Sequence, residues 1–257
     1  MNKIAVVLCC VFIALSANAD TKTVKFAIGE WAPYTSSSEN PQEKISERIV
    51  IRAYESQGYE VILSYYPWSR SLRLAKQGSY DGTFPWMFNS ERKKSFYFSD
   101  AMFTQKVVFF SHRDASFNWK RLSDLKNFHI GATQDYQATN LLLNAGLNPT
   151  IENTEESNFE KLAKHRIDAY ATGLIRGKYL ISKYLSKEEA RVIHIGDKPL
   201  VEDNMYIMFT QKNRQRSRTL SDVFSKGLKV LIESGEYEAI VFDSNRINSP
   251  DKEDAPH

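Results

Sequence analysis

The sequence predicts an α/β fold, with mostly parallel sheet flanked by helices. Three observations point there. Short apolar runs alternate with segments whose apolar residues recur at helical spacing, and the alternation occurs twice along the chain. Glycines stand where the helical segments must stop. Two longer apolar runs, Lys106–Ser111 and Met205–Thr210, read as strands buried on both faces and suit two crossings between α/β lobes. The composition, 42% apolar and 25% charged over 257 residues, is that of a globular chain able to build a sizeable core.

The elements follow in order. Val24–Ile28 reads as a first strand. Ile45, Ile49, Val50, Ala53 and Tyr54 share one helix face, with Gly58 as its stop. Val61–Tyr66 is a second strand, Ser69–Lys76 a short helix ended by Gly78, and Tyr80–Phe84 a third strand. The second set begins near Asp124. It has a strand at His129–Gly131, a helix over Ala138–Ala145 stopped by Gly146, and an extended stretch at Thr150–Asn153. A helix marked by Phe159, Leu162 and Ala163 then precedes a strand at Ile167–Thr172. Leu174–Leu185 is helical and Val192–Ile195 a strand. Leu220, Val223, Phe224, Leu228 and Leu231 form the stripe of a last helix, closed by Gly235. Gln211–Arg218, with Lys212, Arg214, Arg216 and Arg218, reads as a solvated loop. The tail 247–257 is rich in Pro, Asp and Lys and is expected to fray.

The first residues read as an export address. Lys3 precedes an apolar run from Ile4 to Leu15, and Ala17-Asn18-Ala19 fits a small-x-small cleavage site, so cleavage is expected after Ala19. Acylation of Cys9 or Cys10 is disfavoured, because the apolar run before them is too short. Both cysteines of the chain lie in this segment, so the mature protein would hold no thiol nucleophile, disulfide or Cys-ligated metal. Removing Lys3 takes the net charge from +3 to +2, too even a balance for a nucleic-acid binder.

The familiar catalytic signatures GxSxG, HExxH, GxxxxGK[ST] and GxGxxG are absent from the sequence. The five histidines, His112, His129, His165, His194 and His257, show no ligand spacing, so no metal or cofactor is expected. What remains is aromatic. Trp31, Trp68 and Trp86 follow the first, second and third strands, each beside a proline (Pro33, Pro67, Pro85). Open α/β sheets bind ligands outside the carboxyl ends of their strands, where these rings would form one wall. Trp119 is expected to pack. Arg70, Arg73 and Arg92 lie close by in sequence, and an arginine in a partly dry cleft can hold a carboxylate.

At this point the chain resembles the bacterial periplasmic solute-binding proteins of family 3, the type serving polar amino-acid ABC transporters. The matching pieces are GEWAPY, LAKQGSYDG, SERKKSFYFSDAMF, HIGATQDY, HRIDAYATG and ESGEYEAIV, in that order over Thr21 to about Phe242. The resemblance implies a type II periplasmic-binding-protein fold. Its two lobes, each a mostly parallel sheet flanked by helices, would be joined by two hinge strands and would close on a ligand. It divides the chain into a signal peptide 1–19, lobe one at 20–107 and 208–246, lobe two at 108–207, and the tail. It implies that Trp31 stacks on the ligand and that Arg92 grips a carboxylate. The combined candidate ligand-binding set is Trp31, Tyr34, Trp68, Arg70, Trp86, Arg92, Thr133, Asp135, Tyr136, Thr172 and Gly173.

Two departures from the family pattern bear on the ligand. Gly173 stands where amino-acid binders commonly carry an Asp for the ligand ammonium, and Asp135-Tyr136 replaces a Gly-Thr pair. The Asp81–Arg92 stretch is also one residue short and carries Pro85-Trp86 where small residues are usual. Either Asp135 supplies the missing carboxylate, or the ligand lacks an amine or is flatter and more aromatic. The expected role is a monomeric periplasmic receptor, without enzymatic activity, that delivers a small solute to an inner-membrane ABC permease. The alternatives are an enzyme of the cyclic-carboxylate dehydratase kind, with Asp81, Asp135 or Asp168 as acid, and a sensory module for a membrane receptor.

Overall fold

The computed structural model describes residues 22–246. The export segment, its cleavage after Ala19, Cys9, Cys10, His257 and the tail 247–257 lie outside those residues.

The chain runs β1 (Lys22–Ile28), α1 (Ile45–Glu55), β2 (Tyr59–Tyr65), α2 (Trp68–Gln77), β3 (Gly82–Met87), a single turn α3 (Ser90–Lys93) and the long strand β4 (Phe96–His112). It continues with β5 (Ile130–Thr133), α4 (Gln137–Asn144), β6 (Thr150–Glu152), α5 (Glu155–Ala163), β7 (Ala169–Gly173), α6 (Leu174–Tyr184) and α7 (Lys187–Arg191). The second long strand β8 (Ile193–Thr210) returns to the first half, where α8 (Arg214–Ser234) and α9 (Glu236–Arg246) complete it. All strands join in one sheet, ordered β2-β1-β3-β8-β4-β7-β5-β6.

Each outer group of strands is parallel. β1 pairs with β2 from Lys22↔Tyr59 to Ile28↔Tyr65, and β5 pairs in parallel with both β6 and β7. The central pair is antiparallel and shared. β4 and β8 run against each other from Phe96↔Thr210 to His112↔Ile193, with register shifts along the way. β8 pairs with β3 at Gly82↔Phe209, while β4 pairs with β7 at Ser111↔Ala169. The same two strands therefore belong to both halves of the sheet.

This pairing corrects two expectations. Lys106–Ser111 and Met205–Thr210 are only the buried ends of strands that extend over 17 and 18 residues. Their other stretches carry exposed or half-buried polar positions, as in Thr104↔Asn204 and Gln105↔Asp203, so an apolar run does not reveal them. Where the run is continuous, neighbouring Phe109 and Phe110 are both essentially inaccessible. They serve cores on opposite faces: Phe110 packs with Phe159, Tyr170 and Leu180, and Phe109 with Leu125, Ala132 and Leu142.

The first half has its own core of Phe26, Ile49, Phe84, Phe209 and Phe224. α1 buries the face expected of it, and α2 ends on Gly78 at φ 83°, a left-handed cap that favours glycine. Gln211–Arg218 is not a loop: it is a short 3-10 turn followed by the first turn of α8. The reason is tertiary. Arg216 forms a two-pronged pair with Asp81, at 2.5 and 2.9 Å, which ties that turn to the start of β3.

α8 crosses α1 at unusually close range. A Cβ at Gly227 would lie 1.9 Å from the Ala53 carbonyl oxygen, so only glycine admits this approach. Gly227→Ala should destabilise the protein by about 1–3 kcal/mol through overpacking. Urea unfolding checks this, and an unchanged midpoint would show that the helix pair has slack.

Candidate functional site

The connections after β1 and β2 carry Trp31 and Trp68, and the last residues of β3 include Trp86. After β1 the chain makes a tight turn in which the Trp31 N–H donates to the Thr35 carbonyl at 2.8 Å. Ala32-Pro33 within it is cis. Trp31 stacks on Tyr34 at 4.4 Å, and buried Tyr34 stacks nearly parallel on Phe103 of β4 at 5.1 Å. Burial raises the Tyr34 phenol well above its usual range.

Trp68, the first residue of α2, lies against Gly29, where a Cβ would sit 2.5 Å from the indole. Its Nε1 donates to the Glu30 carbonyl at 3.2 Å. Trp86 lies within β3 rather than after it, meets Trp68 edge-on at 5.1 Å and donates its Nε1 to Thr83 Oγ1 at 3.0 Å. The Arg92 guanidinium caps the Trp86 ring at 4.5 Å and donates to the Met87 carbonyl at 3.2 Å. It is half-buried, burial lowers its pKa, and among the described residues no carboxylate pairs with it.

Trp68, Trp86 and Arg92 thus form one cluster. Trp31 and Tyr34 form a neighbouring stack, linked to it through Gly29 and Glu30. Arg70 is elsewhere: it lies over the Tyr66 ring at 4.6 Å, beside the Tyr66–Tyr80 hydroxyl contact.

Across the cleft, the residues at the ends of β5 and β7 are largely engaged in the protein itself. Thr133 Oγ1 shares a hydrogen bond with the Tyr170 hydroxyl at 2.7 Å, and Thr172 Oγ1 donates to Glu155 Oε1 at 2.6 Å. Tyr136 is half-buried, and burial followed by the nearby Glu155 charge raises its phenol. Asp135 is exposed and holds a left-handed backbone at φ 63°. Gly173 lies against β4, and a side chain there would have to displace the Gln105 amide, whose Nε2 is 2.6 Å from the Cβ position.

The structure also reveals residues that sequence reasoning missed. Glu155, with only 3% of its side chain exposed, pairs with Arg176 Nε at 2.6 Å. Arg176 in turn donates to the Ala32 carbonyl of the first half. Further along α6, the Tyr179 hydroxyl donates to Glu43 Oε1 at 2.7 Å, and Lys183 Nζ lies 3.2 Å from the same oxygen. Arg176, Tyr179 and Lys183 follow i, i+3, i+7 spacing, one face of one helix. That spacing was available in the sequence; the partners, more than 130 positions away, were not.

The remaining candidates sit away from this cleft. Asp81 and Asp168 directly precede β3 and β7, at the amino ends of those strands. Asp81 is held by Arg216 and the Lys25 N–H, and Asp168 accepts from the His129 N–H at 2.7 Å. Of the three carboxylates weighed as a catalytic acid, Asp135 alone follows the carboxyl end of a strand. Buried His112 stacks face to face on His165 at 4.1 Å. Trp119 packs edge-on against Phe109 at 5.3 Å.

Glu43 has a depressed pKa. Burial pulls it up, but hydrogen bonds from Ser38, Tyr179 and Lys183, with the Lys183 charge, outweigh burial and hold it at about 2. A group whose folded pKa lies below its unfolded value stabilises fully above the unfolded pKa and loses that contribution as pH falls through the folded one. The contact across the cleft should therefore weaken between about pH 5 and pH 2. Melting temperatures over that window should fall less steeply for Glu43→Gln than for the unaltered protein; identical slopes would remove Glu43 from the acid response.

Comparison with known proteins agrees with this architecture. A family model described as bacterial extracellular solute-binding proteins, family 3, matches residues 43–242. No curated protein matches the sequence. Among solved structures, a histidine kinase sensor domain with similarity to periplasmic binding proteins aligns with a TM-score of 0.68 at 20% identity, covering 87% of this chain and 96% of that one. An amino acid ABC transporter substrate-binding protein from Streptococcus pneumoniae, bound to L-arginine, aligns at 0.65 and 16% identity, covering 89% and 97%. An ancestral amino acid-binding protein, a precursor of cyclohexadienyl dehydratase, aligns at 0.66 and 14% identity, covering 87% and 95%. Likenesses at these identities concern the fold, which is the type II periplasmic-binding-protein fold.

Proposed function

The chain belongs to the bacterial extracellular solute-binding proteins, family 3, and from that premise we propose that it captures a small carboxylate-bearing solute between the two halves of its sheet. The single observation that carries this reading is Arg92, a half-buried guanidinium seated on Trp86 with no carboxylate partner among the described residues. A partly desolvated arginine retains strong attraction for an anion and presents a planar fork of donors that matches a carboxylate. Trp68 and Trp86 supply flat apolar surface beside it, suited to an aromatic or otherwise planar solute body.

The lobes in this reading are 20–107 with 208–246, and 108–207, the change-over falling within the paired strands β4 and β8. Ligand would bind to Trp31, Trp68, Trp86 and Arg92 from the first lobe and to Asp135 and Tyr136 from the second. Closure of the lobes about those strands would exclude water from the pair formed with Arg92. The place of action is the periplasm and the recipient an inner-membrane ABC permease, the protein working as a monomer. No helix among the described residues is long and apolar enough to cross a membrane.

The test is titration calorimetry against a panel of aromatic and aliphatic carboxylates, with Arg92→Ala as the variant. Removing a charge-assisted hydrogen-bonding partner costs about 1.5–3 kcal/mol, so affinity should fall roughly 10- to 100-fold. Circular dichroism should be unchanged, because among the described residues the Arg92 side chain holds only the Met87 carbonyl and the face of the Trp86 ring. Affinity retained in Arg92→Ala would remove Arg92 from the site.

A further inference from the structure

Arg176 is an internal side chain with the surroundings of a bound ligand. Its Nε donates to Glu155 Oε2 at 2.6 Å, a terminal nitrogen donates to the Ala32 carbonyl, and the other lies 3.7 Å from Glu156 Oε1. The guanidinium carbon sits 5.9 Å from the centre of the Tyr179 ring. Only 14% of the side chain is exposed. These partners come from α5, α6 and the turn after β1, so the cradle is assembled from both halves of the sheet.

The cradle is also organised independently of its occupant. Glu155 Oε1 is held by the Thr172 hydroxyl at 2.6 Å and the Tyr170 hydroxyl at 3.4 Å, leaving Oε2 for a cation. Two carboxylates, Glu155 and Glu156, face one guanidinium, so the local balance favours a positive group. A buried carboxylate fixed by hydroxyls, a backbone carbonyl and the Tyr179 ring make up a receptor for a planar cation. An ordinary structural ion pair has no need to reach across to a carbonyl of the opposite half.

We propose that Arg176 is a tethered guanidinium filling a guanidinium subsite between the two halves, and that it sets specificity by excluding cationic solutes from that end of the cleft. The proposal rests on the reading that solutes bind between the halves. It adds that the end beside Ala32 and Glu155 is already occupied from within, which leaves the end at Trp68, Trp86 and Arg92 to recruit an anion. Shortening the side chain should uncover a subsite for a free guanidinium compound.

The experiment is a thermal melt of the full chain, Arg176→Ala, and the double variant Glu155→Gln with Arg176→Met. Each is measured with about 10 mM methylguanidinium chloride or equal sodium chloride, an excess for a millimolar site. Arg176→Ala should melt below the unaltered protein and regain about 2–4 °C with methylguanidinium. The unaltered protein and the double variant, whose carboxylate is gone, should not respond. A response in Arg176→Ala no larger than in the double variant would overturn the proposal. If Arg176→Ala does not fold in sodium chloride, the yield on refolding with methylguanidinium takes the place of the melt, and equal yields overturn the proposal in the same way. Methylguanidinium has no carboxylate, so this outcome is independent of whether Arg92 captures an anion. A gain in Arg176→Ala with no carboxylate bound by the unaltered protein would retain the subsite and reject the proposed function.

Discussion

The antiparallel pairing of β4 with β8 is the constraint on which the rest of the molecule depends. These strands run side by side from Phe96↔Thr210 to His112↔Ile193 and carry one sheet through both halves. At one end they complete the sheet of β1, β2 and β3; at the other, that of β5, β6 and β7. Between lies a stretch whose side chains are largely exposed, including the Lys106–Glu202 ion pair at 2.9 Å. An exposed two-stranded ribbon resists bending less than a packed sheet does. In the proposed function that stretch is where the halves would bend; in the structure, the turn after the carboxyl end of β1 meets α6, which follows β7, through the Arg176–Ala32 contact.

The strand exits of the two halves differ in chemistry, with tryptophans on the first and hydroxyls and carboxylates on the second. The first half presents Trp31 and Trp68 on the connections after β1 and β2, and Trp86 near the end of β3: Trp31 is held in its turn, Trp68 against Gly29, and Trp86 by the Thr83 hydroxyl. The second half presents hydroxyls and carboxylates already bonded to one another around Glu155. Breaking a buried ion pair by removing one partner commonly costs about 3–5 kcal/mol, because the remaining charge stays out of water. Arg176 is therefore held firmly, whereas among the described residues Arg92 has no carboxylate beside it and rests on Trp86.

Much of the fold was legible because it rests on local chemistry. The stripe of Ile45, Ile49, Val50, Ala53 and Tyr54 makes a helix wherever it is placed, and Gly58, Gly78 and Gly235 adopt the left-handed backbone that ends one. The adjacent positions of Phe109 and Phe110 announced a strand buried on both faces. What escaped was whatever depended on a distant partner. Gln105 and Asp203 lie on a strand only because each pairs with the other. Arg216 reads as one charge in a basic run, and Asp81 fixes it in a helix.

The same division runs through the site. The sequence alone determined that Trp31 and Trp68 follow the first two parallel strands, that an arginine stands shortly after the third, and that the residue at 173 is a glycine without a carboxylate. Those are matters of order and spacing, which local propensity converts directly into position on a sheet. Only the tertiary structure decided what surrounds each arginine. Arg70, Arg92 and Arg176 are equal as letters, and they differ because one lies on Tyr66, one on Trp86 and one against Glu155 and the opposite half. Charge becomes function through what surrounds it, and those surroundings are assembled from segments that meet only when the chain has folded.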